Sequence, residues 1–191
     1  MIASTPPRAL ALVGMPGSGK SLCAAHLEAH GFFQYRFGSI IVDEVARRGW
    51  PLTPETERSV REELRRSEGM DAVARRALPL LNEALRTRPS IIIDGLYSWD
   101  EYVLLHRAFG GALVVVTIAC ARALRYARLA QRAERPLSPE EAERRDHQEI
   151  EHLAKGGPIA IADYTLLNDG TPAELLASLD GLIERLGLRP A

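Results

Sequence analysis

The sequence predicts an α/β domain built on a five-stranded parallel sheet that is flanked by helices. Short runs rich in apolar and β-branched residues alternate with longer segments of helical periodicity. Three of the short runs are apolar throughout, as is typical of parallel strands covered on both faces. A glycine-rich stretch, GMPGSGKS, follows the first run and precedes a helical segment. The five strand-like runs are ALALVG (9–14), FFQYRF (32–37), SIIIDG (90–95), ALVVVTI (112–118) and DYTLLN (163–168).

The helical segments carry start and stop signals. A Ser or Thr followed three residues later by Glu forms a capping box, in which the two side chains bond the first free amides of a helix. Gly31 is expected to end the helix after the glycine-rich stretch, and Pro79 to end or kink the helix that starts near Met70. The predicted capping boxes pair Ser98 with Glu101, Ser138 with Glu141 and Thr171 with Glu174.

Length and composition predict one soluble domain over residues 1–191. The chain has 46% hydrophobic and 26% charged residues, as globular proteins do. Its net charge of −1 gives no overall attraction to nucleic acid or acidic membranes, so neither is expected as a partner. The N-terminal MIASTPPRA has no features of a secretion signal, no apolar run reaches the ~18 residues of a membrane span, and Cys23 and Cys120 lack metal or redox spacing. We expect a cytoplasmic protein, monomeric or weakly dimeric.

The stretch from Gly14 to Ser21 matches the P-loop pattern G-x-x-x-x-G-K-S, with a strand before it and a helix after it. Glycines let successive backbone amides turn towards phosphate oxygens, and the helix N-terminus adds partial positive charge. Lys20 can reach the β- and γ-phosphates, and the Ser21 hydroxyl can bind Mg²⁺. A chance glycine-rich turn is the alternative, and the flanking elements argue against it. We predict ATP and Mg²⁺ as cofactors, held by Gly14, Pro16, Gly17, Ser18, Gly19, Lys20, Ser21 and Leu22.

Asp94 ends the third strand-like run, where it would face the P-loop. A carboxylate in that position suits the coordination shell of Mg²⁺, either directly or through water. We therefore predict Asp94 as a metal ligand beside Ser21, and as a catalytic residue with Lys20. The alternative is an ordinary Asp-Gly turn that terminates the strand.

A row of arginines lies in ARALRYARLAQRAER (121–135), at spacings of three and four that put most of them on one helix face. The segment RPLSPEEAERRD that follows resembles a mobile lid, predicted over residues 133–148. Arginines that swing over a transferring phosphoryl group neutralise its charge. A solvated amphipathic face is the alternative. The row has arginines at 122, 125, 128, 132 and 135. We predict Arg128 and Arg132 as catalytic, followed by Arg135 and by Arg145 of the lid segment.

Six motifs follow one another between about residue 9 and residue 186: GMPGSGKS, RFGSIIVDEVARRG, REELRRSEGMDAVA, IIDGLYSWDEY, RYARLAQRAERPLSPEEAERRD and ADYTLLNDGTPAEL. Their order resembles a family of archaeal and bacterial P-loop kinase-like proteins related to dephospho-CoA kinase and the nucleoside monophosphate kinases. The resemblance implies a strand order of 2-3-1-4-5 and makes Arg128 and Arg132 lid arginines. It also places Asn168, Asp169 and Gly170 beside the adenine of bound ATP.

The chain departs from this family at two positions. The residue after RFG is usually aspartate in the family, and here it is Ser39, which can orient an acceptor hydroxyl but cannot take its proton as a carboxylate could. Tyr97 stands near the position where adenylate-kinase-like enzymes supply a phosphate-binding arginine. Asp43, four residues after Ser39, either shares its helix face and substitutes for the missing carboxylate or is a solvated helix residue.

The acceptor site is expected in a helical region over residues 38–88 and at the end of the second strand. Arg36 and Ser39 are predicted acceptor-binding residues at its start, and Arg61 and Arg65 are predicted phosphate anchors one helical turn apart. Intrahelical ion pairs with Glu57 and Glu62 are the alternative role for these two arginines.

These features favour an ATP-dependent phosphotransferase that acts on a small acceptor, with a nucleoside monophosphate favoured because Ser39 is not a base. An alcohol acceptor, as in dephospho-CoA kinase, stays open. So do a nucleotide-binding regulatory ATPase and a degenerate kinase kept as a binding module. The sequence lacks the N-K-x-D motif of GTPases and the L-S-G-G-Q run of transporter ATPases.

Overall fold

The computed structural model describes residues 8–191, so the predictions for residues 1–7 lie outside the described residues. The strands are β1 (Ala9–Val13), β2 (Phe33–Arg36), β3 (Ile91–Asp94), β4 (Leu113–Ala119) and β5 (Tyr164–Leu167). The helices are α1 (Lys20–Ala29), α2 (Gly38–Arg47), α3 (Pro54–Glu68), α4 (Ala72–Thr87), α5 (Trp99–Phe109), α6 (Arg122–Ala130), α7 (Pro139–Leu153), α8 (Gly156–Ala160) and α9 (Pro172–Leu186). A short 3-10 turn (Gly110–Ala112) leads into β4.

The five strands form one parallel sheet in the order β2-β3-β1-β4-β5. This confirms the predicted α/β class and the strand order that the family resemblance implied. In the register of the sheet, Leu12 of β1 lies beside Asp94 of β3 on one side and Val116 of β4 on the other. The carboxyl ends of parallel strands share one edge, so the loop after β1 and the residues that end β2 and β3 meet there.

Two apolar clusters cover the two faces of the sheet because alternate side chains of each strand point in opposite directions. On β1, Ala9, Ala11 and Val13 pack against helices α2 to α5. Leu10 and Leu12 pack on the other face against α1 and α9. All five side chains are fully buried. The central strand is therefore covered on both sides, as its continuous apolar sequence predicted.

The predicted helix starts are confirmed, but Pro79 does not end its helix. The capping boxes at Ser98, Ser138 and Thr171 all form, and Thr53 with Thr56 forms a fourth that the sequence analysis missed. Helix α4 continues through Pro79 to Thr87. Pro79 is exposed, so the backbone carbonyl that it leaves without a donor lies towards water, while the opposite face of α4 stays packed in the core.

A buried carboxylate holds the helical region 38–88 together. Glu44 of α2 is 5% exposed and accepts hydrogen bonds from Arg47 at 2.9 Å and Arg48 at 2.8 Å. Arg76 of α4 approaches it at 3.4 Å, and Arg48 also bonds Glu63 of α3 at 2.6 Å. The hydrogen bonds from Arg47 and Arg48 lower the pKa of Glu44 to about 2. These contacts fix α2, α3 and α4 relative to one another.

Among the helices between residues 8 and 191, none combines the length and the apolar character that a membrane crossing requires.

Candidate active site

The loop between β1 and α1 presents its backbone to the carboxyl edge of the sheet. It begins with a turn in which the Ser18 amide donates to the Met15 carbonyl at 3.1 Å. Helix α1 starts after Gly19 without a side-chain cap, unlike the four helices that begin with capping boxes. The first amides of α1 are therefore not capped by a side chain, and they add to the positive end of the helix dipole.

Two glycines of this loop are required by close backbone packing. Gly17 has a φ of +80°, and a Cβ there would lie 2.8 Å from the Arg125 carbonyl oxygen. Gly19 has a φ of +102°, and a Cβ there would collide with the side-chain amide of Asn168. That amide donates to the Ser18 carbonyl at 2.7 Å. Larger residues at either position would therefore displace the loop from its supports.

Lys20 and Asp94 meet as an ion pair between the loop and the end of β3. Gln34 of β2 donates to the other oxygen of Asp94 at 3.2 Å. Ser21 lies exposed in the first turn of α1. Within residues 8–191 the buried Ser18 hydroxyl has no hydrogen-bond partner. The site therefore combines an ammonium, a carboxylate, hydroxyls and backbone amides with no side-chain cap. Together these groups fit a triphosphate with Mg²⁺.

Arg125 is the member of the arginine row with a structural role, and the sequence analysis did not single it out. Its side chain is 8% exposed and makes two hydrogen bonds to Asp146 of α7, at 3.0 and 2.5 Å. It also donates to the Pro16 carbonyl of the P-loop at 2.9 Å. Arg125 thus joins α6, α7 and the P-loop. The aspartate in ERRD was the only hint of this pairing in the sequence.

The predicted lid arginines occupy different surroundings. Arg128 donates to the Cys120 sulfur at 3.1 Å and approaches the Gly170 carbonyl at 3.5 Å. Arg132 lies exposed beyond the end of α6, where partial loss of solvent around its guanidinium and the positive charge of Arg145 lower its pKa. Arg135 adopts a positive φ of 52° and lies 3.9 Å from a carboxylate oxygen of Glu57 on α3. The lid segment therefore spans from the arginine row to the predicted acceptor region.

The loop after β5 braces the P-loop and the start of α6. Asn168 is 4% exposed and bonds the P-loop, and Asp169 accepts from the Ala121 amide at 2.7 Å. Gly170 contributes the carbonyl near Arg128. That Asn168, Asp169 and Gly170 lie beside the adenine stays a prediction of the family resemblance.

The predicted acceptor residues fall into two groups. Arg36 pairs with Glu28 of α1 at 3.0 Å, in an exposed position. The Ser39 hydroxyl donates to the Arg36 carbonyl at 2.7 Å. Burial and Asp43 raise the pKa of Tyr35, and a hydrogen bond with Ser39 opposes them. Ser39 and Asp43, four residues apart on α2, share one face of this helix, and both act on the pKa of Tyr35.

Arg65 belongs to a second, buried group. The ion pairs with Glu57 and Glu62, which were the alternative role for Arg61 and Arg65, do not form within residues 8–191, since these glutamates lie near Arg135 and Arg58 instead. Arg65 lies 4.0 Å from a carboxylate oxygen of Glu101, at the start of α5, and the charge of Arg61 acts on it. Glu101 is fully buried. Its other oxygen accepts from the Tyr97 amide at 2.7 Å and the Ser98 amide at 3.1 Å. Burial raises the pKa of Glu101 to about 7.

This shift predicts a pH dependence of stability. The pKa of Glu101 is raised from an ordinary 4.5, so its contribution to the free energy of unfolding is complete below pH 4.5 and is lost as the pH rises to about 7. That contribution is about 3 kcal/mol at most. Glu101→Gln should remove this part of the slope, measured from urea midpoints between pH 5 and pH 8.

Glu141→Gln is the matched control because Glu141 occupies the same capping-box position in α7 but is exposed. It should leave the pH slope as in the wild type. A Glu101→Gln protein with the wild-type slope would show that Glu101 does not titrate in this range.

Lys155 completes the buried group, and the sequence analysis missed it. It lies at the junction of α7 and α8, is 2% exposed and pairs with Glu149. No motif surrounds it in the sequence. Only the fold brings it to the same tyrosine ring as Lys20, since both ammonium groups lie over Tyr97.

Comparisons with known proteins agree with this architecture. A family model described as an AAA domain matches residues 10–151. A UPF0200 protein from Thermococcus sibiricus is 34% identical over 183 residues, which cover 94% of this chain and 96% of that protein.

Solved kinases share the fold. A shikimate kinase from Bacteroides thetaiotaomicron superposes with a TM-score of 0.60 at 16% identity, over 95% of this chain and 99% of that one. A dephospho-CoA kinase from Campylobacter jejuni superposes with a TM-score of 0.54 at 16% identity, over 94% and 97%. At these identities the likeness shows a common fold, which confirms the predicted P-loop kinase-like architecture.

Proposed function

This chain belongs to the UPF0200 family, with an AAA domain over residues 10–151, and on that premise we propose that it is an ATP-dependent phosphotransferase. It would move the γ-phosphate of Mg·ATP to a small phosphate-bearing acceptor, for which a nucleoside monophosphate is the favoured candidate. The P-loop kinase-like fold generally binds ATP with Mg²⁺.

The observation that carries this proposal is the Lys20–Asp94 pair at the edge of the sheet. In this arrangement an ammonium that can bind β- and γ-phosphates lies next to a carboxylate that can bind Mg²⁺. Ser21 and the first amides of α1 would complete the site that binds the phosphate donor, Mg·ATP. Mg²⁺ would neutralise charge on the transferring group, and Lys20 would hold that group in line with the acceptor.

The lid would supply further positive charge. Arg132 directly precedes the lid segment and Arg145 lies within it, and the two are close enough for the charge of Arg145 to lower the pKa of Arg132. Two like charges in proximity favour the binding of an anion between them. Arg128, which bonds Cys120 and approaches Gly170, would position the loop after β5 and would reach a phosphate only if it left these partners.

The surroundings of Ser39 support a phosphate acceptor over an alcohol. Its hydroxyl bonds a backbone carbonyl, and a hydroxyl is a poor base for removing the proton of an alcohol. A phosphate oxygen needs no proton removed before it attacks, and positioning contributes most to phosphoryl transfer. Asp43 is exposed on the same face of α2 and is a carboxylate that could serve an alcohol acceptor as base.

A coupled assay of ADP formation tests the proposal. Purified protein with Mg·ATP is screened against the four ribonucleoside monophosphates, the matching nucleosides and dephospho-CoA. We expect slow ADP formation without acceptor, and acceleration by about a hundredfold or more with at least one monophosphate, since the acceptor completes the transfer geometry. Ser39→Asp should not increase that rate.

Two outcomes would contradict the proposal. Acceleration by dephospho-CoA or a nucleoside, lost in Asp43→Ala, would identify an alcohol acceptor with Asp43 as its base. ATP binding with a rate that no acceptor changes would favour a regulatory ATPase.

A further inference from the structure

The chain uses lysine at two positions only. Of its 24 lysine and arginine residues, 22 are arginines, and the two lysines are Lys20 and Lys155. They are 135 positions apart in the sequence, yet the Nζ atoms of Lys20 and Lys155 lie 6.0 and 5.0 Å from the centre of the Tyr97 ring. One of the two belongs to the P-loop. Their convergence therefore places the second lysine next to the site of phosphoryl transfer.

The Tyr97 ring that both ammonium groups approach is held in a fixed position. Its backbone amide donates to Glu101 at 2.7 Å. A Cβ on Gly95 would lie 2.8 Å from the ring edge, so the ring packs directly on the backbone at the end of β3. An aromatic ring in this place interacts favourably with both ammonium groups.

Lys155 is buried in a position that costs free energy. Burial lowers its pKa, Glu149 opposes that change, and the charges of Lys20 and Arg145 add to the lowering. The residue before it, Ala154, adopts a left-handed backbone with a φ of 49°, which is strained for a residue other than glycine. The fold thus keeps this ammonium in place despite its burial, the repulsion from Lys20 and Arg145 and the backbone strain at Ala154. Such a group is a candidate for anion binding.

Arg65 approaches the same place from α3. Its guanidinium is influenced by Glu101, Tyr97 and Glu149, which also surround Lys155. Within residues 8–191, its Nε and one oxygen of Glu101 are buried without hydrogen-bond partners. Since only 11% of the Arg65 side chain is exposed, its Nε is a largely buried hydrogen-bond donor that is available to a ligand.

We propose that Lys155 and Arg65 together bind the phosphate group of the acceptor, beside the Tyr97 ring that Lys20 also approaches. This assignment rests on the proposed phosphotransferase function and narrows its substrates to phosphomonoesters. Lys20 serves the donor phosphates and Lys155 the acceptor phosphate. On binding, the acceptor phosphate replaces Glu149 as the partner of Lys155, and Glu149 keeps its 3.2 Å hydrogen bond from Arg145.

The two lysines allow a direct readout that does not need turnover. In protein labelled with ¹³C-lysine, only Lys20 and Lys155 contribute side-chain signals, and Lys155→Arg assigns them. With Mg²⁺ and a non-hydrolysable ATP analogue present, each of the four ribonucleoside monophosphates and its nucleoside is titrated. We expect the analogue to shift the Lys20 signal, at least one monophosphate to shift the Lys155 signal, and the nucleosides to shift neither.

Calorimetry on variants measures how much the positive charge of Lys155 contributes to monophosphate binding. Lys155→Met should weaken monophosphate binding about 10- to 100-fold, as expected for a lost charge-assisted hydrogen bond, and change the affinity for the ATP analogue less than twofold. Lys155→Arg should recover part of the loss. The double variant Lys155→Met/Glu149→Gln avoids an unpaired buried carboxylate, and it should show the same loss even if the single variant folds poorly.

Unchanged monophosphate affinity in the double variant would overturn the assignment. So would wild-type protein that binds nucleosides as tightly as monophosphates, or a Lys155 signal that no monophosphate moves. In each of these cases intact binding of the ATP analogue, together with ADP formation that an acceptor accelerates, leaves the phosphotransferase proposal standing. Failure of wild-type protein to bind the analogue would instead overturn the proposed function, and this inference with it.

Discussion

Replacing Lys20 with methionine will lower acceptor-dependent turnover by about 10²–10³-fold, the loss typical of removing one group that stabilises transition-state charge. Lys20 is the ammonium of the P-loop and contacts Asp94, so its removal takes away a phosphate ligand and leaves the carboxylate without its partner. The side chain is 14% exposed, and a methionine fits the same path. ADP formation and the affinity for an ATP analogue, measured on the same preparation, give the result.

Arg86→Met is the matched control for this change. It also removes one positive charge that pairs with a carboxylate, but the Arg86–Glu83 pair lies on the exposed side of α4, with 74% of the arginine side chain exposed. Turnover should be unaffected, because exposed pairs contribute little and this one is remote from the P-loop. A folded Lys20→Met protein with normal turnover and ATP affinity would refute the proposal that Lys20 binds the phosphates of ATP.

Replacing Arg125 with methionine will lower the free energy of unfolding by about 3–5 kcal/mol, the range for breaking a buried ion pair by removal of one partner. Asp146 would then be buried without the two hydrogen bonds it now receives from Arg125. The Pro16 carbonyl would lose its donor as well, so we also expect weaker binding of an ATP analogue. Urea denaturation and calorimetry measure the two effects.

Arg122→Met provides the control on the same helix. Arg122 is one turn earlier on α6, is 71% exposed and lies 3.8 Å from Glu143, so its loss should change stability little. The double variant Arg125→Met/Asp146→Leu should recover much of the stability, because both charges are then gone. Equal losses from Arg122→Met and Arg125→Met would show that the Arg125–Asp146 pair does not support the fold.

The contrast between the members of the arginine row shows the limit of reading a helix from its sequence. The spacing of three and four residues correctly indicated a helix with arginines along it. It could not separate Arg125, which faces α7 and the P-loop, from Arg128, which faces the loop after β5. Periodicity specifies which residues share a face of one helix, whereas the neighbours of that face come from other parts of the chain.

The acceptor region shows the same limit. Arg36 and Arg65 were both expected to anchor an acceptor, yet Arg36 pairs with Glu28 on the exposed side of α1 and Arg65 is largely buried beside Glu101. The residue at the start of α5 was correctly predicted as half of a capping box. Its burial, and the pKa of about 7 that results, depend on the helices packed over it.

The sequence by itself determined the parallel sheet, the P-loop and three of the capping boxes. These features depend on short-range patterns, since apolar runs, glycine spacing and Ser/Thr-x-x-Glu pairs act within a few residues. The tertiary structure alone decided that Lys155 and Lys20 approach the same Tyr97 ring and that Arg125 supports the P-loop. These contacts join residues about 60 to 135 positions apart, and no local signal encodes them, because the crossovers of a parallel sheet determine which distant segments meet at its carboxyl edge.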